Sequence, residues 1–408
     1  MTGVLETGPD RLSSTQSLGD IIAAAGAGAV HILFVHGIRT GDRGSSAAFR
    51  AGVGAHAPGV SRAPTMIGNH RLPLGPSPGI TYMGAAIFET QADWEAGAPF
   101  VDRFIFERPD SGPIVVDEVN WWPLALPLRL HALLEPEAAL AGADAGHLKL
   151  AAGLDDHERP LEDGVHHAWL SKQRLDALLA HKPPLGGAAT ANGYVKRELM
   201  DWGLSDAVIA LGPMKHYLHD AIDLAFGYAA AAAQARPTPT QFVVVAESLG
   251  SFIVFDAYAH AKSRVQELLD DTAFIYFFAN QLALLELGRL HDPSPRAVSM
   301  LATTGQPLSL HQALTAWAAP KVRAPRQARP GAPDLKQIIA FSDPSDALTF
   351  RVPPIPNALV VNVCDRNGWD LFHRAADPIA AHTGHSRNPH VLDILFKRQA
   401  RRPGSPPA

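Results

Sequence analysis

The chain has 408 residues, 47% hydrophobic and 18% charged, a balance that allows a large buried core and excludes global disorder. A formal net charge of -5 gives no electrostatic reason to expect nucleic acid as a partner. The one cysteine, Cys364, cannot form an intramolecular disulfide, so folding needs no oxidising compartment.

Residues 1–27 read as an N-terminal segment. Glu6 and Asp10 replace the basic start of a secretory signal, and the apolar stretch Ile21–Val35 is broken by glycines and by His31. A cytoplasmic protein with no integral membrane segment is the expectation. The first strand-like run, Ile32–Val35, ends in His36-Gly37. Residues about 60–112, with Pro73, Gly75, Pro76 and Pro78, read as a long irregular insertion. Next come a second strand-like run, Ile114–Val116, and the pair Trp121-Trp122, candidates to line a substrate pocket. A second insertion, about 127–200, carries leucines at helical spacing (Leu128, Leu130, Leu133, Leu134, then Leu170, Leu175, Leu178, Leu179), which suits a helical cap over a site or a peripheral helix pair.

Helical periodicity over Leu218–Ala235 precedes the run Phe242–Val245, and a further helical pattern over Phe252–Leu269 precedes Phe274–Phe278. Asn280 and Gln281 stand at that strand's end, placed to touch substrate or to satisfy loop backbone. Ala319–Pro333, with four basic residues among prolines, reads as a solvated loop. Ile338–Phe341, Leu359–Val363 and the helix Pro389–Arg398 follow, then a flexible tail, 401–408. Continuous apolar runs without alternation indicate strands buried on both faces. The fold class is therefore α/β, a mostly parallel central sheet with helices on both faces, over 28–400 with two insertions.

Phe242-Val-Val-Val-Ala-Glu-Ser-Leu-Gly puts Ser248 between a strand and a helix. A turn that sharp needs small residues two before and two after the serine, and Ala246 and Gly250 meet this. The alternative is a serine that merely caps the helix. Beyond the later strands lie two clusters suited to acid and base. Ser342-Asp-Pro-Ser-Asp-Ala-Leu-Thr offers Asp346 and Asp343, either of which can instead form an Asx-turn. Ala380-Ala-His-Thr-Gly-His-Ser-Arg-Asn-Pro-His offers His382, His385 and His390.

This ordered set, each part beyond a strand, resembles the α/β-hydrolase superfamily, in particular its lipases and esterases. The resemblance spans about 28–398 and implies the α/β-hydrolase fold, Ser248 as nucleophile, Asp346 as acid and His382 as base, with Asp343 and His385 as alternates. It also implies an oxyanion hole made by the N–H groups of Ile38 and Leu249, with His36 orienting its loop. The expected activity is hydrolysis of a small-molecule or lipid carboxylic ester through an acyl-enzyme, with no cofactor and no metal. A thioesterase or amidase using the same residues, and a non-catalytic binding protein of the same fold, are the alternatives. Asp155, Asp156, His157, His166 and His167 match no strong zinc spacing and read as a solvated helical face.

Overall fold

The computed structural model describes residues 5–7, 10–37, 44–77, 79–82, 85–86, 90–125, 204–287, 309–320, 335–367, 370–371, 375–376 and 378–397. Among the described residues, nine strands form one sheet: β1 (Leu5–Thr7), β2 (Ala29–Val35), β3 (Thr65–Arg71), β4 (Phe100–Phe106), β5 (Ile114–Asn120), β6 (Thr240–Glu247), β7 (Phe274–Phe278), β8 (Lys336–Ser342) and β9 (Ala358–Cys364). Their spatial order is β1-β9-β8-β7-β6-β2-β5-β4-β3. The six strands from β9 to β5 are parallel, and they are the six runs expected as strands. The edges are antiparallel, β1 on β9 at one side and β4 then β3 beyond β5 at the other. The protein is therefore α/β with a mostly parallel, mixed sheet.

The central strands are apolar throughout because both faces are covered. In β6, Val244 and Ala246 join one core with α3 (Lys215–Gln234), α4 (Leu249–Ala259) and α6 (Leu310–Ala318). Val243 and Val245 face the other core, shared with α1 (Leu18–Ala24), α2 (Ala47–His56) and α7 (Pro389–Lys397). Each such side chain contributes about 1.5–3 kcal/mol on burial, so the run Phe242–Val245 stabilises only as a central strand.

Three expectations are corrected. Residues 60–112 are not one irregular stretch, because β3 and β4 extend the sheet there. Arg103, in the middle of β4, binds Asp117 of β5 through two nitrogens at 2.7 and 2.6 Å, and His31 of β2 meets the same carboxylate at 2.9 Å. Burial alone would raise the Asp117 carboxyl, but His31 and Arg103 outweigh it and hold it down to about 2. Residues 5–7 and 10–27 belong to the same body: β1 completes the sheet, and α1, with a capping box between Ser17 and Asp20, packs on α7. The helical pattern Phe252–Leu269 is two helices, α4 and α5 (Ser263–Asp271). Between them Ala261, at φ 55°, takes the left-handed position of a Schellman turn, with Lys262 N–H bonded to Ala257 O.

The second insertion at about 127–200 and the tail 401–408 lie outside the described residues. Among the described residues, no helix is long and apolar enough to cross a membrane.

Candidate active site

Parallel register brings the strand ends into line: Val35 pairs with Ala246, Glu247 with Phe278, Phe278 with Phe341, and Phe341 with Val363. His36, Ser248, Asn280 and Asp343 therefore follow at one edge of the sheet, where open parallel sheets place their crevice.

Ser248 holds φ 51° and ψ -124°, a conformation that costs a non-glycine residue roughly 1–3 kcal/mol and persists only where its surroundings impose it. Three contacts impose it. The Ser248 N–H continues the ladder to Phe278 O at 2.7 Å, its own carbonyl accepts the Ser251 hydroxyl at 2.6 Å, and α4 starts at the next residue. Glycines bring the neighbouring chain close. A Cβ on Gly37 would lie 2.4 Å from Ser248 Cβ, and one on Gly250 would lie 2.3 Å from Val35 O. Gly250, the small residue two after the serine, thus answers to a real backbone approach.

Although Ser248 occupies the N-cap position of α4, its side chain makes no capping hydrogen bond. Ser248 Oγ instead lies 2.6 Å from His382 Nε2, and His382 Nδ1 lies 2.7 Å from Asp346 Oδ2. A carboxylate can only accept, so Nδ1 carries the proton and Nε2 is left to accept from the serine hydroxyl. Burial pushes the Asp346 carboxyl up, but the His382 hydrogen bond and charge, the Thr349 hydroxyl and the Leu348 N–H together bring it below its ordinary value. Serine, histidine and aspartate are all nearly inaccessible, at 2%, 4% and 8% exposure.

The alternates stand elsewhere. Asp343 accepts from Ser345 N at 2.7 Å and from Asn367 N at 2.6 Å, so it is an Asx-turn that ties two loops together. His385 is fully buried and roughly parallel to the Phe278 ring, with centroids 6.3 Å apart, and among the described residues neither ring nitrogen has a hydrogen-bond partner. Burial drives it down to about 3, so it stays neutral. His390 faces Asp365 at 3.5 Å.

On the strand-end side, Leu249 opens α4, where the first backbone N–H groups have no intrahelical acceptor. Ile38 lies outside the described residues, as do Asp155, Asp156, His157, His166 and His167. His36 donates from Nδ1 to Gly37 O at 2.8 Å, and burial lowers it to about 4, so it is a neutral ring that shapes its own turn. The two tryptophans named as candidates to line a pocket are buried: Trp121 and Trp122 are 0% and 2% exposed. Trp121 Nε1 donates to His36 O at 3.0 Å and its ring stacks on His36. Trp122 Nε1 donates to Asn120 Oδ1 at 3.3 Å.

Several supports were not singled out by the sequence reading. Asn362 bonds both backbone groups of Val352, at 2.8 and 2.9 Å, and Asn280, expected either to touch substrate or to satisfy loop backbone, donates to the loop carbonyl Phe350 O at 2.8 Å. Together they fix the loop that carries Asp346. Asparagine inside or just after an apolar strand was the available signal. Ser251, in the first turn of α4, is a further case.

Glu247 lies beside the relay, facing His382 and Arg387. It keeps some solvent contact, yet desolvation pushes its carboxyl up to about 7. In the unfolded chain it ionises near its ordinary 4.5, so the unfolded state has lost this proton between pH 4.5 and 7 while the native state still holds it. Stability therefore falls across that window and levels off above it. Glu247→Gln is expected to be about 1–3 kcal/mol more stable than wild type at pH 8 and equal to it near pH 4.5. Urea unfolding at the two pH values checks this, and an equal difference at both would contradict it.

One further group of ligand-type side chains occurs among the described residues, at the far end of α4. His219, Asp256 and His260 have their ligand atoms within 4.8 Å of one another. They bond one another, with His219 Nε2 at 2.7 Å from Asp256 Oδ2 and His260 Nδ1 at 2.7 Å from Asp256 O.

Compared with protein-family models, with curated proteins and with solved structures, the chain gives no match.

Proposed function

We propose that the protein is a serine hydrolase of the α/β-hydrolase type, which cleaves carboxylic esters of small molecules or lipids through an acyl-enzyme. The observation that carries this reading is the Asp346–His382–Ser248 relay, built on a strained strand-to-helix turn with Gly37 pressed against the serine.

In this reading Ser248 Oγ attacks the ester carbonyl while its proton passes to His382 Nε2. The imidazolium is balanced by Asp346, which stays ionised and keeps the ring oriented. The carbonyl oxygen becomes an oxyanion, met by the Leu249 N–H and, by the family resemblance, that of Ile38; one such donor is worth about 2.7–4 kcal/mol at the transition state. Collapse expels the alkoxide, which takes from His382 the proton that came from Ser248 and leaves as the alcohol. Water then gives its proton to His382 and attacks the acyl carbon, releasing the acid and restoring Ser248. Each group returns to its starting protonation state, and no cofactor is consumed.

A fluorophosphonate probe tests the reading, because it phosphonylates only an activated serine. Labelling of the folded protein should map to the peptide containing Ser248, vanish in Ser248→Ala and accompany turnover of p-nitrophenyl esters. Folded protein that neither labels nor turns over a panel of short, long-chain and phospholipid esters would overturn it. Matched amides and thioesters in the same panel define the acyl class.

A further inference from the structure

Ser251 is completely buried in the first turn of α4, and its hydroxyl is used both as donor and as acceptor. The O–H donates to Ser248 O at 2.6 Å, and the oxygen accepts from Gln281 N–H at 3.3 Å. A serine inside a helix often bonds back to a carbonyl of its own preceding turn, where it adds little to an acceptor that the helix already serves. The carbonyl here is not a helical one. Ser248 stands before the helix at φ 51° and ψ -124°, and Ser251 holds its carbonyl twice, by its backbone N–H at 3.1 Å and more closely by its hydroxyl.

The second partner of that hydroxyl anchors it outside α4. Gln281 follows β7, whose last residue, Phe278, accepts the Ser248 N–H at 2.7 Å. Between the two, Ala279 N–H bonds Phe341 O at 3.0 Å and Asn280 holds the loop that carries Asp346. The exit of β7 is thus fixed by its neighbours in the sheet, and Ser251 ties the Ser248 carbonyl to it.

What this achieves lies one bond beyond the carbonyl. Ser248 C=O and Leu249 N–H are the two ends of one planar, trans peptide unit, so they point in opposite directions and can only turn together. A donor of this kind favours the transition state only if its direction is set before the charge develops. Holding Ser248 O therefore holds the Leu249 N–H. We infer that Ser251 is a positioning residue for the hydrolytic reaction: bound to Gln281 N–H and gripping Ser248 O, it aims the Leu249 N–H at the oxyanion formed on Ser248. The inference rests on the hydrolase reading above. It concerns a charge that exists only in the transition state, so its effect belongs in kcat rather than in substrate binding.

Ser251→Ala removes the hydroxyl and keeps the backbone bond from residue 251 to Ser248 O. For p-nitrophenyl butyrate, kcat should fall about 10- to 100-fold with KM within about twofold, somewhat less than the loss of a whole oxyanion donor. A trifluoromethyl ketone, to whose carbonyl the serine adds to leave a stable oxyanion, should lose affinity by about the same factor as kcat, a match that general loosening of the fold would not produce. Should the alanine variant fail to fold, Ser251→Cys, close in shape but only a weak donor, should give the same split with a loss of about 3- to 30-fold. A folded variant with kcat within twofold of wild type overturns the inference, as does a loss carried by KM or an unchanged affinity for the ketone. If the wild type itself neither labels nor turns over ester, it is the hydrolase reading that fails. Amide exchange at Ser248, expected to quicken about tenfold in the variant while the centre of β6 keeps its protection, then still decides whether Ser251 holds this turn.

Discussion

Replacing Ser248 by alanine should lower kcat for a p-nitrophenyl ester by about 10^6-fold, and replacing Asp346 by asparagine should lower it by about 10^4-fold. The second figure follows from the proton arrangement. With a carboxylate opposite Nδ1, His382 must carry its proton there and leave Nε2 open to Ser248 Oγ at 2.6 Å. An asparagine can turn its NH2 toward the ring, which stabilises the opposite tautomer and removes the base from the serine. It would also lose the charge that balances the imidazolium. Asp343→Asn is the internal control, because the Asp343 carboxylate serves the Ser345 and Asn367 amides and bonds no side chain of the relay. That substitution should cost less than about tenfold, through a loosened turn. Steady-state kinetics on the four proteins, with circular dichroism to confirm folding, checks the ranking. A larger loss for Asp343→Asn than for Asp346→Asn would reverse the assignment of the acid.

Gly250→Ala should destabilise the protein by about 2–4 kcal/mol. The new methyl would stand 2.3 Å from Val35 O and 2.6 Å from His36 O. Both obstacles are backbone atoms, one of them in a central strand bonded on both sides, so no side-chain rotation relieves the clash. Either α4 must move away from β2 or β2 must bend, and every residue of α4 from Leu249 to Ala259 is buried, so a displacement spreads into the core. The denaturant midpoint should fall with an unchanged slope. A change below about 0.5 kcal/mol would mean that α4 is not pressed on β2 as described.

The central sheet was legible because its strands are buried on both faces, which writes an unbroken apolar run into the sequence. The antiparallel edge was not, since Asp102 and Arg103 interrupt β4, and β3 carries a register shift between Met66 and Gly68. Arg103 is tolerated in mid-strand because Asp117 waits on the next strand, a fact that exists in space and not along the chain. The order of the site residues was equally legible, as each follows a readable strand. The choice between Asp346 and Asp343 was not, because both sit in one short loop and differ only in which way the loop turns them. Ser251 also escaped notice: a serine inside an apolar helical run looks like a small packing residue until the partners of its hydroxyl are seen.

The relay joins residues 134 and 36 positions apart, and the central pair β2 and β6 is separated by more than half the chain. Such long loops must close before any of these contacts rewards them, so folding is governed by late, non-local steps. The His36 turn, the serine turn, the acid loop and the histidine loop come from four distant stretches of sequence, and none forms the relay alone. On the proposed hydrolase reading, reactivity at Ser248 should therefore report completed folding: during refolding, the appearance of probe labelling would mark the moment at which the last strand and the segment after it have docked.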